Sequence, residues 1–264
     1  MKIGFIGCGN MGGALASAAA KSGREILLAD NDFEKRDSLC ERLSAKASDN
    51  AEVCYECDYI FLGVKPQVLP ALLEEIKPYL SARGERYILI SMAAGVSCAQ
   101  ISDALGGSPV IRIMPNTPVA VGKGMIVYCG NEKITDADKA DFRAFMSAAG
   151  VLDEIGEELI DAATVVSGCG PAFVYMFIKA LADSGVQCGL AEEKAMLLAA
   201  QTVLGSAENL MKSGRTAQEL ITAVCSPGGS TIEGVRSLES DNLSGIVSAA
   251  AEKSFKRTKE LGKK

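Results

Sequence analysis

The chain contains no histidine. Imidazole can therefore serve neither as acid or base nor as metal ligand, and proton work falls to Lys, Asp, Glu, Tyr, Ser, Thr, Cys or water. A basic excess is also missing. The formal net charge is −6 and the pI is near 5.0, which argues against nucleic acid, whose binders normally carry a basic face. No uninterrupted apolar stretch reaches the roughly 20 residues of a membrane helix. The most apolar segments, Phe173–Ala182 and Ala195–Leu204, are interrupted by Lys179 and Gln201. Met1-Lys2 leads straight into an apolar run with no leader pattern. Among the nine cysteines, Cys54 and Cys57 form one C-x-x-C without a second pair, so no metal is expected. An odd number of thiols scattered through apolar segments points to a reducing, cytoplasmic setting. Repeats, low-complexity tracts and a Pro/Gly/Ser linker are absent as well.

What is present starts at residue 2. Lys2–Ile6 suits a buried parallel strand, and Gly7-Cys8-Gly9-Asn10-Met11-Gly12 follows as G-x-G-x-x-G. Ala14-Leu15-Ala16 then continues as a helix former. In that order Gly7 permits the tight turn, Gly9 lets a pyrophosphate approach the backbone, and Gly12 lets the helix pack on the strand. The helix start offers free N–H groups to phosphates. A second strand ends at Asp30, where such a site reads the adenosine ribose. Asp30 either accepts a free 2′-OH, favouring NADH, or caps the helix starting near Asp32. Asn31, Lys35 and Arg36 stand close enough to hold a 2′-phosphate, so NADPH and NADH both remain open.

Apolar strand-length runs recur at Asp58–Val64, Arg86–Met92, Val110–Met114, Met125–Cys129 and Val151–Ile155, alternating with helical patterns at Phe33–Leu43, Gln67–Leu80, Cys98–Leu105 and Thr135–Ala149. The expectation is α/β: a Rossmann-like, doubly wound parallel sheet over residues 1–154. Ligands in such sheets sit at strand carboxyl ends. Those ends are Val64-Lys65-Pro66-Gln67, Ser91-Met92-Ala93-Ala94-Gly95-Val96 and Met114-Pro115-Asn116-Thr117-Pro118. Lys65 there suits a phosphate or ribose hydroxyl, and small Ala93 and Ala94 let a ring lie on the backbone.

From residue 155 to 264 every segment reads as helix: Glu157–Val166, Pro171–Gly185, Glu192–Ser213, Thr216–Val224, Ser230–Leu238 and Leu243–Leu261. A helix is expected to run across the domain boundary. Helices this apolar, left uncovered, would expose patches too large for a monomer, so an intertwined oligomer is expected. Two glycine-rich loops break the helices. Ser167-Gly168-Cys169-Gly170-Pro171 is the first, either a loop with backbone freedom or a close helix crossing. Cys225-Ser226-Pro227-Gly228-Gly229-Ser230-Thr231 is the second. Helices do not tolerate Pro-Gly-Gly inside them. The chain must turn and restart there, leaving free N–H groups and hydroxyls that suit a carboxylate. An ordinary Ser/Thr-capped turn is the alternative.

Gly4–Met11, Val64-Lys65-Pro66, Met114–Pro118, Ser167–Ala172, Asp183-Ser184-Gly185-Val186 and above all Ser226–Thr231 together resemble pyrroline-5-carboxylate reductase over essentially the whole chain. The resemblance implies reduction of 1-pyrroline-5-carboxylate to L-proline with NADPH or NADH, the last step of proline biosynthesis. It also implies a Rossmann domain followed by an all-helical dimerisation domain, in homodimers often arranged as decamers. Carried over by motif, Ile6, Gly7, Cys8, Gly9, Asn10, Met11, Asn31, Asn50, Lys65 and Ala94 are expected to bind the dinucleotide, and the glycine-turn and strand-end positions add Gly12, Asp30, Val64 and Ala93. Glu157, Ser226, Gly229, Ser230 and Thr231 are expected to bind substrate, with Thr231 catalytic. The resemblance places the active site between one subunit's nucleotide domain and its partner's helices. Asp30 departs from a strict NADPH pattern, and Cys169 stands where serine is common. Two other readings are a dehydrogenase of small 3-hydroxy acids, which would need a lysine such as Lys179 or Lys194 as its acid, and a dinucleotide sensor without chemistry.

Overall fold

The computed structural model describes residues Met1–Leu261. The chain divides into two compact units, one of Met1–Gly168 joined by the chain end from Phe255, the other of Cys169–Ser254. The division falls inside the helical run Glu157–Gln187.

The first unit is built on one sheet: β1 Lys2–Ile6, β2 Glu25–Ala29, β3 Lys46–Ala47, β4 Tyr59–Leu62, β5 Ile88–Ser91, β6 Val110–Pro115, β7 Gly124–Gly130 and β8 Gly150–Glu154. The spatial order is β3-β2-β1-β4-β5-β6-β7-β8. The chain starts in the middle and winds outward both ways, so β1 and β4 meet at the switch point. Helices α1 Asn10–Ala20, α2 Phe33–Leu43, α3 Asn50–Glu56, α4 Leu69–Ala82, α5 Cys98–Ala104 and α6 Asp136–Met146 cover the two faces. Successive strand residues point to opposite faces. Tyr59 and Phe61 join one core with Leu15, Phe142 and Phe145, while Ile60 and Leu62 join the other with Leu73, Ile76 and Ile101. Both faces are therefore apolar, which explains the continuous apolar runs. Phe5 and Phe61 stack at 4.3 Å across β1 and β4.

The sheet is mostly rather than wholly parallel. β7 pairs antiparallel with β6, and β8 pairs parallel with β7. Only residues 116–123 connect β6 to β7, fewer than the 10–12 or so that a parallel crossover requires. β3 and α3 have no counterpart in the sequence expectation. Asp49 caps α3 by accepting the Glu52 N–H at 2.8 Å.

The single helix expected over Glu157–Val166 is instead three short turns: a 3-10 turn at Glu157–Leu159, α7 at Ile160–Ala163, and a π turn at Thr164–Gly168. The Thr164 and Ser167 hydroxyls donate to the carbonyls four residues back, and Asn116 Nδ2 donates to the Ser167 carbonyl at 3.0 Å. Those side chains compete for the backbone groups of a regular helix.

The second unit contains α8 Gly170–Gln187, α9 Glu192–Ser213, α10 Ala217–Val224, α11 Ser230–Ser240 and the start of α12 Leu243–Leu261. Among its described residues the buried apolar side chains are Ala182, Ala195 and Ala199, where α8 packs on α9. Met176, Leu197, Met211, Val224 and Ile246 are each at least 60% exposed. By length and composition the run Glu157–Gln187 is apolar enough to cross a membrane, with Lys179 interrupting it as the sequence indicated. Its exposed apolar side chains stand equally for a face that another protein surface covers.

Candidate active site

Gly7 turns the chain out of β1 with φ +97, and its N–H donates to the Ala29 carbonyl at 2.8 Å. A Cβ on Gly12 would lie 2.2 Å from the Gly7 oxygen, and one on Gly63 would lie 2.3 Å from that same atom. Gly12 and Gly63 thus let α1 and the end of β4 close on the turn. Gly9 differs. It stands as the N-cap of α1 with no side-chain cap, and a Cβ there would meet nothing within 4 Å. That open space before an uncapped helix start fits a pyrophosphate, whose oxygens need close backbone N–H groups.

Of the three cavities that border this turn, two lie at the strand ends. One of about 270 Å³ is lined by Ile6, Gly7, Asp30, Asn31, Asn50 and Val64, with Glu75. The other, of about 420 Å³, is lined by Gly9, Asn10, Met11, Gly12, Val64 and Lys65, with Gly63, Met92, Met114 and Pro115. Val64 borders both. The structure thereby gathers most of the residues expected to bind a dinucleotide along one path over the carboxyl ends of β1, β2 and β4. Cys8 is 1% exposed, and its backbone rather than its thiol faces this region. Burial pushes the Cys8 thiol up to about 12, aided by the charge of Asp30, which leaves it protonated and inert near neutral pH.

Four of the expected residues have contacts that the sequence did not indicate. Asp30 is not the cap of α2: Asp32 is, accepting the Lys35 N–H at 3.1 Å. Asp30 instead accepts the Cys8 N–H at 2.5 Å and the Asp32 N–H at 2.8 Å, tying the end of β2 to the glycine turn. Ala93 is 2% exposed and belongs to the core, with its N–H donated to Ser91 Oγ. Buried in that way, its side chain lines none of the turn's cavities. Ala94 lines a separate groove with Pro66 and Val96. Glu157 holds its own unit together: Oε1 accepts from the Cys98 N–H at 2.8 Å and from Arg112 at 3.2 Å.

Arg112 itself was not singled out by the sequence. It is buried on β6, pairs also with Asp161 at 3.6 Å, and keeps an unpartnered Nε. Cys98, Cys129 and Glu157 bring ligand-type atoms within 4.8 Å of one another. The Arg112 guanidinium already neutralises that carboxylate, and a dication would have to compete with it. Met92, Met114 and Pro115 line the second cavity from the strand ends that the sequence pointed to, whereas Gly63 was missed although it directly follows β4.

In the second unit the Pro-Gly-Gly turn restarts a helix as expected. Gly228 has φ +71, Gly229 donates its N–H to the Ser226 carbonyl at 3.0 Å, and α11 begins at Ser230. Gly229 is the N-cap, and no side chain caps the helix. The Ser/Thr-cap alternative is thereby set aside. Ser230 and Thr231 are exposed in the first turn, where free N–H groups and the positive dipole end suit a carboxylate.

A family model described as pyrroline-5-carboxylate reductase dimerisation matches residues 157–261. Another, described as NADP oxidoreductase, coenzyme F420-dependent, matches residues 2–95. The pyrroline-5-carboxylate reductase of Escherichia coli (strain K12) is 38% identical over 99% of this chain and 98% of its own length. The chain belongs to the pyrroline-5-carboxylate reductase family. Among solved structures, the pyrroline carboxylate reductase of Plasmodium falciparum with NADP bound superposes with a TM-score of 0.87 at 35% identity, covering 99% of this chain and 98% of that one. The pyrroline-5-carboxylate reductase of Coxiella burnetii superposes with a TM-score of 0.92 at 32% identity, again over 99% and 98%. The matches to this reductase family span both units, so the glycine turn and the Pro-Gly-Gly turn belong to one enzyme.

Proposed function

We propose that this chain reduces 1-pyrroline-5-carboxylate to L-proline by hydride transfer from NADPH or NADH, as the last step of proline biosynthesis in the cytoplasm. The observation that carries this is the pair of uncapped helix starts, Gly9 before α1 and Gly229 before α11. One fits the phosphates of a dinucleotide and the other the carboxylate of an acid.

The cofactor, when bound, supplies a hydride to the C=N carbon of the cyclic imine. The chain's residues do the rest by holding and orienting. The glycine turn and Lys65 hold the dinucleotide, with Asn31 at the ribose end. The N–H groups of Ser230 and Thr231 hold the substrate's carboxylate, and Ser226 stands beside them in the turn. Fixing the ring in this way supplies much of the rate, because orientation replaces a lost degree of freedom in the transition state. A protonated imine is already electrophilic, so no metal or strong acid is needed. In this reading the Thr231 hydroxyl hydrogen-bonds the ring nitrogen, which ends as the amine of proline. The exposed apolar helices of the second unit support a homodimer, with a decamer as a further assembly.

Mixing the full chain with the cyclic imine and each reduced dinucleotide, and following absorbance of the reduced nicotinamide, tests the reading. Turnover that depends on the imine supports it. Oxidation of a 3-hydroxy acid in a parallel assay with NAD+ or NADP+, without imine reduction, would return the hydroxy-acid dehydrogenase reading, and binding without any turnover the sensor.

A further inference from the structure

The cavity of about 270 Å³ between the ends of β1 and β2 has a one-sided charge. Asp30 and Glu75 line it, and none of its lining residues is a lysine or arginine. Asp30 cannot swing away, because both its oxygens are held: Oδ2 by the Cys8 N–H at 2.5 Å and Oδ1 by the Asp32 N–H at 2.8 Å. A carboxylate has about four lone-pair sites, so two remain for ribose hydroxyls. Glu75 is likewise positioned, accepting from Asn50 Nδ2 at 2.8 Å.

The nearby cations are directed elsewhere. Arg36 Nε and NH2 both meet Asp37 Oδ1 at 2.8 Å, and NH1 donates to the Ser48 carbonyl at 3.2 Å. The same guanidinium lies over the Phe33 ring at 4.9 Å. Lys35 and Arg42 line a separate cavity of about 500 Å³, with Gly9, Asn10 and Ser17, and not the one that Asp30 and Glu75 line.

We propose that this chain selects NADH over NADPH, with Asp30 and Glu75 as the discriminating pair and Arg36 withheld from the 2′ position. A 2′-phosphate in this cavity would bring a charge of about −1.5 to −2 beside two carboxylates, with no cation among the lining residues. A free 2′-OH would instead donate to Asp30. The proposal rests on the reading that the glycine turn holds a dinucleotide.

The test uses the full chain in two separate measurements. Titration with NAD+ and NADP+ in the absence of imine gives dissociation constants, and steady-state rates with imine give kcat/KM for NADH and NADPH. The dinucleotide without the 2′-phosphate, NAD+ in binding and NADH in turnover, is expected to be favoured tenfold or more. Asp30→Asn keeps the size of the side chain and should narrow the ratio by about tenfold. Glu75→Gln leaves the glycine turn untouched and should narrow it severalfold. It guards against a loosened turn in the first variant. A parent that takes NADPH as well as NADH, or a ratio unmoved by both substitutions, overturns the proposal. Preferential NAD+ binding without imine turnover would sink the reductase reading while leaving this one standing. Failure of both dinucleotides to bind overturns both.

Discussion

The Cβ that Gly12 lacks would stand 2.2 Å from the carbonyl oxygen of Gly7. Gly12→Ala must therefore push α1 off the turn, at a cost of about 1–3 kcal/mol, seen as a lower melting temperature together with weaker dinucleotide binding. Gly9→Ala meets open space and is expected to melt with the parent. It should nevertheless weaken dinucleotide binding roughly tenfold or more, on the scale of one charged hydrogen bond. Unchanged affinity in a titration of Gly9→Ala would remove that residue from the site.

Thr231 is not the cap of α11, since Gly229 occupies that position. Thr231→Ala is thus expected to keep the parent's melting temperature, whereas loss of a capping threonine would cost about 1 kcal/mol. If the hydroxyl serves the transition state, kcat falls roughly 10- to 100-fold with KM little changed. Thermal melts and steady-state kinetics on one preparation decide it. A fully active variant leaves the backbone amides of the turn as the substrate contacts.

Glu157 separates a structural from a substrate role. Its carboxylate pairs with a buried arginine and a helix N–H, so Glu157→Gln leaves Arg112 short of charge and should destabilise the first unit by about 1–3 kcal/mol. KM for the imine is expected to stay near the parent value. A large rise in KM with unchanged stability would restore Glu157 to the substrate site.

Thiols give the alkaline limit. Burial raises Cys54 and Cys57 each from 9.0 to about 12 in the folded chain. An unfolded chain loses these protons near 9, the folded chain only near 12, so deprotonation favours unfolding. Stability from these groups is complete below pH 9 and is lost as pH rises toward 12. Cys54→Ala should flatten that decline, read from denaturant midpoints across the range.

The second unit should not persist alone. Sedimentation of the parent at assay concentration is expected to show a dimer or larger, and Leu197→Lys, in a side chain 60% exposed on α9, should shift it toward smaller species. A stable, active parent monomer would refute the dimer.

Much of the first unit was legible because its strands are buried on both faces and bounded by glycine or proline. The bounds expected for α2 and α9 match those observed. β3 and α3 escaped because one is only two residues long and the other seven, too short for any periodicity. The Asp49–Glu52 spacing was the available signal. The direction of β7 depends on the length of a connection, not on the strand's own composition. Asp30 was legible as a site residue but not as a brace, since nothing in local sequence says that its carboxylate reaches back to Cys8. Arg112 and Glu157 are 45 positions apart, and no pattern read within one segment joins them.

Three buried alanines are a small interior for the helices of the second unit. Apolar burial contributes only about 25 cal/mol per Å², so a homodimer, as proposed above, would supply these helices with an organising force that three alanines do not. Folding of this half is then a second-order process. Its midpoint should climb as protein concentration rises, and refolding from dilute denaturant should slow in proportion to dilution, while the sheet half recovers at a rate that ignores it. A cell making little of this chain would hold it half-formed, and the amount expressed would itself set how much of it works.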